Sequence, residues 1–183
     1  MKCVALVFAA MVASAAASKM VNDPDRRIVD EINGSPGVLW KAGYSKRFND
    51  MPLSAFKSLC GVKPDSWGMV QALPRPYKNI VDYTIPDSFD SETNWKECAH
   101  IIGDIRDQSM CGCCWAFGTA EAASDRMCIA TEGKIMLPLS AEELCFCSSF
   151  NGCGGGFPLA AWQWIGKNGL VTGGQISAGP FDE

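Results

Sequence analysis

The spacing of hydrophobic residues separates an apolar leader from two regions of different helical content. Residues 3–12 are continuously apolar, follow the basic start Met1-Lys2, and precede the small residues of 13–17. This order is typical of a secretory signal peptide, so we expect cleavage near Ala17 or Ser18. A membrane anchor is the alternative, but a run of about 10 to 12 apolar residues is well short of the roughly 20 that span a bilayer.

Residues 19–84 contain short apolar patches and few residues that could form a core. The helical spacing of Ile28, Val29 and Ile32 predicts a helix within residues 23–37. A second patch, residues 53–61, predicts a short helix that ends at Gly61. Residues 63–86 are polar and rich in proline, which predicts an extended connector; its prolines are Pro64, Pro74, Pro76 and Pro86.

Three longer helices are expected after residue 85. The first runs from about Cys114 to Thr131, and its predicted buried stripe is Phe117, Ala120, Ala123, Ser124 and Met127. The second follows Ser140, which forms a capping-box pattern with Glu143, and ends by Cys147. The third begins at Pro158 and is stopped by Asn168-Gly169. The glycine loop, residues 151–156, lies between the last two.

Composition narrows the possible compartments and partners. The 183 residues are 48% hydrophobic and 20% charged, as in an ordinary soluble globular protein. A net charge of −4 gives no reason to expect nucleic acid or an anionic membrane as a partner. Ten cysteines are unusual for a cytosolic protein, and together with the leader they indicate an oxidising compartment in which disulfides persist.

The segment Gln108-Ser-Met-Cys-Gly-Cys-Cys-Trp-Ala-Phe117 is the strongest candidate for chemistry. It predicts a turn that delivers Cys114 to the first turn of a helix. Unpaired backbone N–H groups and the positive end of the helix dipole favour a thiolate there, and a thiolate is a usable nucleophile near neutral pH.

Several motifs in order resemble the papain-type cysteine peptidases, and among them the cathepsin B group. The signature is Cys111-Gly-Cys-Cys-Trp115, preceded by Gln108 and by Asp104-Ile-Arg-Asp107. Further matches are Ser124-Asp-Arg-Met-Cys128, Ser140-Ala-Glu-Glu-Leu144 and Cys153-Gly-Gly-Gly-Phe157, and the propeptide matches are Trp40-Lys-Ala-Gly43 and Leu59-Cys-Gly61. The resemblance covers about residues 20–183.

The resemblance implies a role for several residues. Cys114 matches the nucleophile that forms an acyl-enzyme, and Gln108 matches the side chain that donates to the developing oxyanion. Gly155 and Gly156 match the cleft edge that binds an extended substrate, and Trp115 belongs to the cleft wall. It also implies peptide or protein substrates, the chain's own propeptide and cystatin-like inhibitors as partners, and no cofactor.

The same resemblance implies disulfides between Cys98 and Cys128 and between Cys111 and Cys153. Cys147 matches a half-cystine whose partner would lie beyond residue 183. Cys113 stands where the family usually has Ser, and Cys145 where it has an apolar residue. Cys113 could compete with Cys114 or form a blocking mixed disulfide, while Cys145 could pair with another thiol or be buried.

A zinc site is the rival interpretation of the cysteine cluster, with ligands drawn from Cys111, Cys113, Cys114, Cys145, Cys147 and Cys153. The Cys-x-Cys-Cys spacing differs from the usual Cys-x-x-Cys, and a secreted chain tends to oxidise such thiols. We therefore predict no metal.

The chain's single histidine, His100, does not fit the role of the catalytic base. We expect it in a solvated loop near Cys98, whereas the family takes its histidine and asparagine from the C-terminal half. We therefore expect this chain to be an incomplete enzyme without activity on its own; a non-catalytic peptide- or inhibitor-binding protein is the alternative.

The sequence thus predicts an α+β papain-like fold represented mainly by its helical left domain plus a small propeptide, with the β-rich right domain absent. The expected divisions are a signal peptide over 1–18, a propeptide and linker over 19–84, and the left part of the peptidase domain over 85–183. Without the other half, Trp115 and the cleft wall should form an exposed apolar face. The expected location is the secretory pathway, either a lysosome-like compartment or the outside of the cell.

Overall fold

The computed structural model describes residues 26–43, 46–48, 51–74, 86–148 and 151–174. The predicted signal peptide and residues 75–85 of the predicted connector lie outside these ranges. The chain divides into two units, residues 1–56 and 57–183. Within the described residues no helix is long and apolar enough to cross a membrane.

The first unit consists of short helices with exposed surfaces. Helix α1 spans Arg26–Gly34, a 3₁₀ turn spans Lys46–Phe48, and α2, Leu53–Ser58, begins in this unit. The Asn33 side chain closes the loop after α1, since its amide donates to the Ala42 carbonyl at 3.0 Å and accepts from the Ala42 N–H at 2.8 Å. The positions of α1 and α2 confirm the two helices predicted from apolar spacing.

The described part of the second unit is mainly helical and includes short helices that the sequence prediction missed. Helix α3 spans Ser66–Gln71, inside the predicted extended connector. That prediction was wrong here because Pro64 and Pro74 flank a proline-free stretch rather than interrupting it. The Ser66 hydroxyl, which donates to the Lys63 carbonyl, fixes the turn at its start.

The remaining helices of this unit are α4 Ser91–Asn94, α5 Ala99–Ile102, α6 Cys114–Ala130, α7 Ala141–Cys147 and α8 Pro158–Asn168. The 3₁₀ turns are Lys96–Cys98 and Gly152–Gly154. The described β structure consists of isolated bridges, one parallel between Val62 and Gly156 and one antiparallel between Leu139 and Thr172.

Local capping signals explain where α7 begins and where α8 ends. Ser140 accepts a hydrogen bond from the Glu143 N–H at 3.0 Å, which starts α7. The Glu143 carboxylate does not complete a capping box, since it accepts from the Val171 N–H at 2.7 Å. Gly169 ends α8 with φ of 77°, a conformation that suits glycine.

Helix α6 packs against both α7 and α8, and the core lies between them. The buried core residues are Cys113, Trp115, Ala116, Ala120, Ala141, Leu144, Cys145 and Ala161. Small side chains on several sides of α6 allow this close approach. Of the predicted stripe, Ala120, Ala123 and Ser124 are buried, whereas Phe117 and Met127 are half-buried.

Candidate active site

Cys114 is the first residue of α6 and is half-buried. Its Sγ accepts a hydrogen bond from the backbone N–H of Gly61, with an N···S distance of 3.1 Å. The first turn of a helix presents unpaired N–H groups and the positive end of the dipole, and α6 has no acidic residue there to oppose them. The Gly61 N–H and the N-terminal end of α6 are thus the polar groups next to the Cys114 sulfur.

Gln108 lies on the same turn and its amide is directed at backbone carbonyls. Its Nε2 donates to the carbonyl of Leu59 at 2.9 Å and to the carbonyl of Cys111 at 2.8 Å. Directly after Gln108 the chain turns at Ser109, whose φ is 54°. The Asp107 carboxylate accepts a hydrogen bond from the Ser109 N–H at 2.8 Å. Residues 108–115 are called the Cys114 turn below.

The backbone of residues 59–63, the Leu59–Lys63 segment, contacts both candidate catalytic groups. Gln108 holds the carbonyl of the Leu59–Cys60 peptide, whereas Cys114 faces the N–H of the next peptide, Cys60–Gly61. Attack on a peptide bond requires the sulfur and the oxyanion donor to act on one carbonyl group. Because they engage successive peptide units, this segment occupies the site in a register that does not favour its own cleavage.

The glycine loop holds the same segment from the other side. The Gly156 N–H donates to the Gly61 carbonyl at 2.8 Å, and the Lys63 N–H donates to the Gly156 carbonyl at 3.0 Å. The Lys63 ammonium donates to the Gly154 carbonyl at 2.7 Å. Gly155 has φ of 95°, and a Cβ there would lie 2.5 Å from the Gly61 carbonyl oxygen. Extended backbone can therefore approach the loop this closely only because Gly155 has no side chain.

Trp115 is buried, which contradicts the expected exposed apolar face around it. It is 1% exposed, and its indole N–H donates to the Gly152 carbonyl at 3.3 Å. A Cβ on Gly156 would lie 2.6 Å from the indole ring. The glycine loop thus lies on the ring and covers it, a contact that the sequence analysis had not anticipated.

Among the described residues, two disulfides join the Cys114 turn to other elements, and a third holds the C-terminal end of α6. Cys98–Cys128 joins the 3₁₀ turn before α5 to α6, with Cα atoms 5.9 Å apart, and Cys111–Cys153 joins the turn to the glycine loop, with Cα atoms 4.7 Å apart. The other disulfide of the turn is Cys113–Cys145, with Cα atoms 6.2 Å apart. It pairs the two cysteines that the family resemblance left unexplained.

The sulfurs of Cys111, Cys113 and Cys145 lie within 4.8 Å of one another, as ligands of a metal ion would. In this structure all three are half-cystines. A disulfide sulfur is not the thiolate ligand that zinc prefers, so the donor set does not fit a metal in this oxidised form.

His100 lies on α5 and is exposed, so its predicted position in a loop was wrong while its predicted exposure was right. Residues 99–102 form a helical turn directly after the half-cystine Cys98, a short element with little sequence signal of its own. In the part of the chain that the structure describes, Cys114 has a hydrogen bond from Gly61 and none from His100.

A charged group supports the loop before Gln108. The buried Arg106 guanidinium pairs with Asp104 at 3.0 Å and donates to the Leu139 carbonyl at 2.7 Å. Burial raises the pKa of Glu121 and of Asp125 on α6, although the nearby Arg106 charge lowers both. The sequence analysis missed this support, for which Asp104-Ile-Arg106 was the available signal.

Residues 85–182 match the family model described as papain family cysteine protease. The chain belongs to the papain family of cysteine proteases. Among curated relatives, "Cathepsin B-like cysteine proteinase 6" of Caenorhabditis elegans is 40% identical over 156 residues, which is 82% of this chain and 41% of the relative. "Cathepsin B-like cysteine proteinase 4" of the same organism is 50% identical over 102 residues, 55% of this chain and 30% of the relative. The chain thus spans less than half the length of these two curated relatives.

Solved structures of the papain family match the fold as well. The proform titled "proCathepsin B S9 from Trypanosoma congolense" has a TM-score of 0.66 and 33% identity, covering 81% of this chain and 51% of that one. The proform of the ragweed pollen protease Amb a 11 has a TM-score of 0.54 and 23% identity, covering 80% of this chain and 44% of that one, and supports the fold alone. The fold is papain-like, and the described residues are mostly helical, in keeping with the helical left domain.

Proposed function

We propose that this chain is the proform of a cathepsin B-like cysteine peptidase in which Cys114 is the nucleophile. Its thiolate would attack the carbonyl carbon of a peptide bond, the amine would leave with a proton, and a thioester would form. Water would then hydrolyse the thioester and release the thiol. Gln108 and the Cys114 N–H would stabilise the negative oxygen of each tetrahedral intermediate.

The observation that supports this proposal most is the peptide backbone lying on both candidate groups. Gln108 donates to the Leu59 carbonyl while Cys114 accepts from Gly61. A half-buried amide and thiol that already bind main-chain groups are suited to bind the main chain of a substrate. The same contacts support residues up to about 84 as an inhibitory propeptide, and the match to the proform of the Trypanosoma congolense protein favours this interpretation.

The glycine loop would bind an extended peptide substrate. Gly156 offers one N–H and one carbonyl, and both pair with the Leu59–Lys63 segment here. A substrate would use these groups after the segment leaves, with Gly155 beside them. Trp115, which is buried under the glycine loop, would support the loop from below. The expected partners are peptide or protein substrates and, by family resemblance, cystatin-like inhibitors; the expected location is the secretory pathway or a lysosome-like compartment.

We further propose that the 183-residue chain on its own does not turn over peptides. Its single histidine is exposed on α5 and has no hydrogen bond with Cys114. Without an imidazole beside the thiol, neither the attack nor the protonation of the leaving amine is assisted, and such assistance typically contributes about 10²–10⁴-fold.

Covalent labelling tests the nucleophile without requiring turnover. The chain is incubated with a peptidyl electrophile, and labelled thiols are identified by mass spectrometry before and after proteolytic removal of residues up to about 84. We expect Cys114 to be labelled faster than Cys147, an exposed thiol that forms no disulfide in the described residues, and faster still after removal. Equal labelling of Cys114 and Cys147 in both forms would contradict the assignment.

A fluorogenic dipeptide tests the absence of turnover. We expect no hydrolysis by the purified chain, and hydrolysis that disappears in Cys114→Ala would show that the chain is an active peptidase.

The exposed position of His100 favours one second candidate, a peptide- or inhibitor-binding protein without catalysis. It predicts that titration calorimetry detects binding of a peptide while no product forms. It also predicts that Cys114→Ala binds the peptide as well as the unchanged chain does.

A further inference from the structure

Two cysteines beside the candidate nucleophile meet in the core of the second unit. Cys113 precedes Cys114 directly and is 1% exposed, and Cys145 on α7 is fully buried. Neither matches the family pattern, and each would be a buried thiol if the other were absent. In the structure they are bonded to each other.

We propose that the Cys113–Cys145 disulfide removes a competing thiol from the Cys114 turn, leaving Cys114 as the thiol of that turn available for chemistry. The inference rests on the proposed role of Cys114 as nucleophile. It assigns the bond a protective function in addition to any contribution to stability.

The competing reaction is thiol–disulfide exchange with the neighbouring bond. The sulfur of Cys113 lies within 4.8 Å of the sulfur of Cys111, which is bonded to Cys153. A Cys113 thiolate could attack the Cys111 sulfur, form a Cys111–Cys113 disulfide, and release Cys153 as a thiolate that takes a proton from water. The exchange conserves electrons and needs no external reductant.

Such an exchange would damage both candidate catalytic groups because Cys113 is the backbone link between them. Its N–H donates to the Cys111 carbonyl at 2.8 Å, the same carbonyl that holds the Gln108 amide. Its own carbonyl accepts from Ala116 and Phe117 at 2.9 and 3.1 Å, which forms the first turn of α6. A new bond from Cys113 to Cys111 would strain this link and release the glycine loop from the turn.

Formation of the protective bond requires an oxidant, and oxidised glutathione is of the appropriate chemical class. The two thiols become one disulfide while one oxidised glutathione becomes two reduced glutathiones. Since Cys113 and Cys145 are buried, the bond should then be poorly accessible to external thiols.

The test is disulfide mapping of the full 183-residue chain, folded in a glutathione buffer, quenched with acid, alkylated and digested for mass spectrometry. The unchanged chain should yield a Cys113–Cys145 peptide pair together with Cys111–Cys153. In Cys145→Leu, we expect at least about tenfold more Cys111–Cys113 pair, with Cys153 alkylated, because the freed thiol lies within reach of the bond.

The double variant Cys113→Ser/Cys145→Leu distinguishes protection from simple stabilisation. Because it has no thiol at 113, we expect it to recover the Cys111–Cys153 pair that the single variant loses. A bond that only stabilised the fold would leave the double variant no better than the single one. Cys147→Ser is the matched control, since it removes an exposed thiol from the same helix and should not change the map.

Several results would overturn the proposal. These are an alkylated Cys113 in the unchanged chain, an intact Cys111–Cys153 pair in Cys145→Leu, or failure of both variants to fold. Stoichiometric zinc in the purified chain, with Cys111, Cys113 and Cys145 alkylated only after chelation, would replace the disulfide with a metal site. The map does not depend on peptidase chemistry, so its failure is distinguishable from failure of Cys114 to react with a peptidyl electrophile.

Discussion

The Cys114 turn and the Leu59–Lys63 segment lie against each other, but different interactions hold each in place. The turn is fixed covalently through Cys111–Cys153 and Cys113–Cys145. The segment is held by hydrogen bonds, mostly from its backbone, to Cys114, Gln108 and the glycine loop. The proposed inhibition needs such a difference, since the segment would have to leave while the disulfides keep the turn in place.

The largest expected effect comes from deleting a disulfide that holds the Cys114 turn. The double substitution Cys111→Ser/Cys153→Ser deletes a disulfide that joins residues 42 positions apart. Loss of the loop-closure restraint on the unfolded chain should lower the free energy of unfolding by about 4 kcal/mol. Urea unfolding followed by tryptophan fluorescence measures this, with Cys147→Ser as the control. An unchanged midpoint would mean that the bond does not hold the turn.

A smaller effect is expected from displacing the Leu59–Lys63 segment by a substitution at Gly61. A Cβ at this position would collide with the Gly112 carbonyl, so Gly61→Ala should displace the segment. Three hydrogen bonds then break: the one from the Gly61 N–H to the Cys114 sulfur, and the two that the Gly156 N–H and carbonyl make with the segment. At about 1 kcal/mol each, their loss should raise the alkylation rate of Cys114 by about a hundredfold.

The control for this experiment is Gly68→Ala on α3, where an added Cβ meets nothing within 4 Å. It should leave the alkylation rate of Cys114 unchanged. If Gly61→Ala behaves like this control, the segment does not cover the thiol in solution.

The comparison also shows which features a sequence can reveal. Helices α7 and α8 were predicted well because their ends depend on local residues, namely Ser140, Pro158 and Gly169. The start of α6 at Cys114 followed from the turn before it in the same way. Each of these signals acts within a few residues of the chain.

Features that depend on distant residues were missed. The contact between Gly61 and Cys114 joins residues 53 positions apart, and no local pattern reports it. The Cys113–Cys145 pair and the burial of Trp115 under the glycine loop depend in the same way on how α6, α7 and the loop pack. Family resemblance suggested the propeptide match at residues 59–61 but not the peptide units that it presents to the site.

A substitution at Lys63 measures how much its side chain adds to the backbone contacts of the Leu59–Lys63 segment. Lys63→Met deletes the bond from the ammonium to the Gly154 carbonyl, at 2.7 Å, and leaves the backbone bonds in place. Because exposed charged contacts are weak, we expect the alkylation rate of Cys114 to rise only about two- to fivefold. Lys57→Met, a change at an exposed lysine, is the control. A rise as large as that of Gly61→Ala would show that the side chain rather than the backbone holds the segment.

The smallest expected effect concerns how stability depends on pH through two carboxyl groups of α6, the helix that follows the Cys114 turn. Burial raises the pKa of Glu121 above 4.5 and that of Asp125 above 3.8, so the folded chain binds these protons more tightly than the unfolded chain does. The cost of burying each charge is therefore absent below its unfolded pKa, 4.5 for Glu121 and 3.8 for Asp125, and is complete once the pH has risen through the folded pKa. The contribution of these two groups should therefore make the free energy of unfolding larger in mildly acidic solution than at pH 7.

Glu121→Gln removes one of these buried charges and should raise Tm by about 2 °C at pH 7 while having little effect near pH 4. The gain is small because the carboxylate is half exposed and because the nearby Arg106 charge partly offsets the cost of burial. Thermal unfolding at the two pH values measures it, with Glu142→Gln on α7, at an exposed carboxylate, as the control. A lower Tm at pH 7 would mean that attraction to Arg106 outweighs desolvation, and the Cys114 turn would then rest on a charge network as well as on its disulfides.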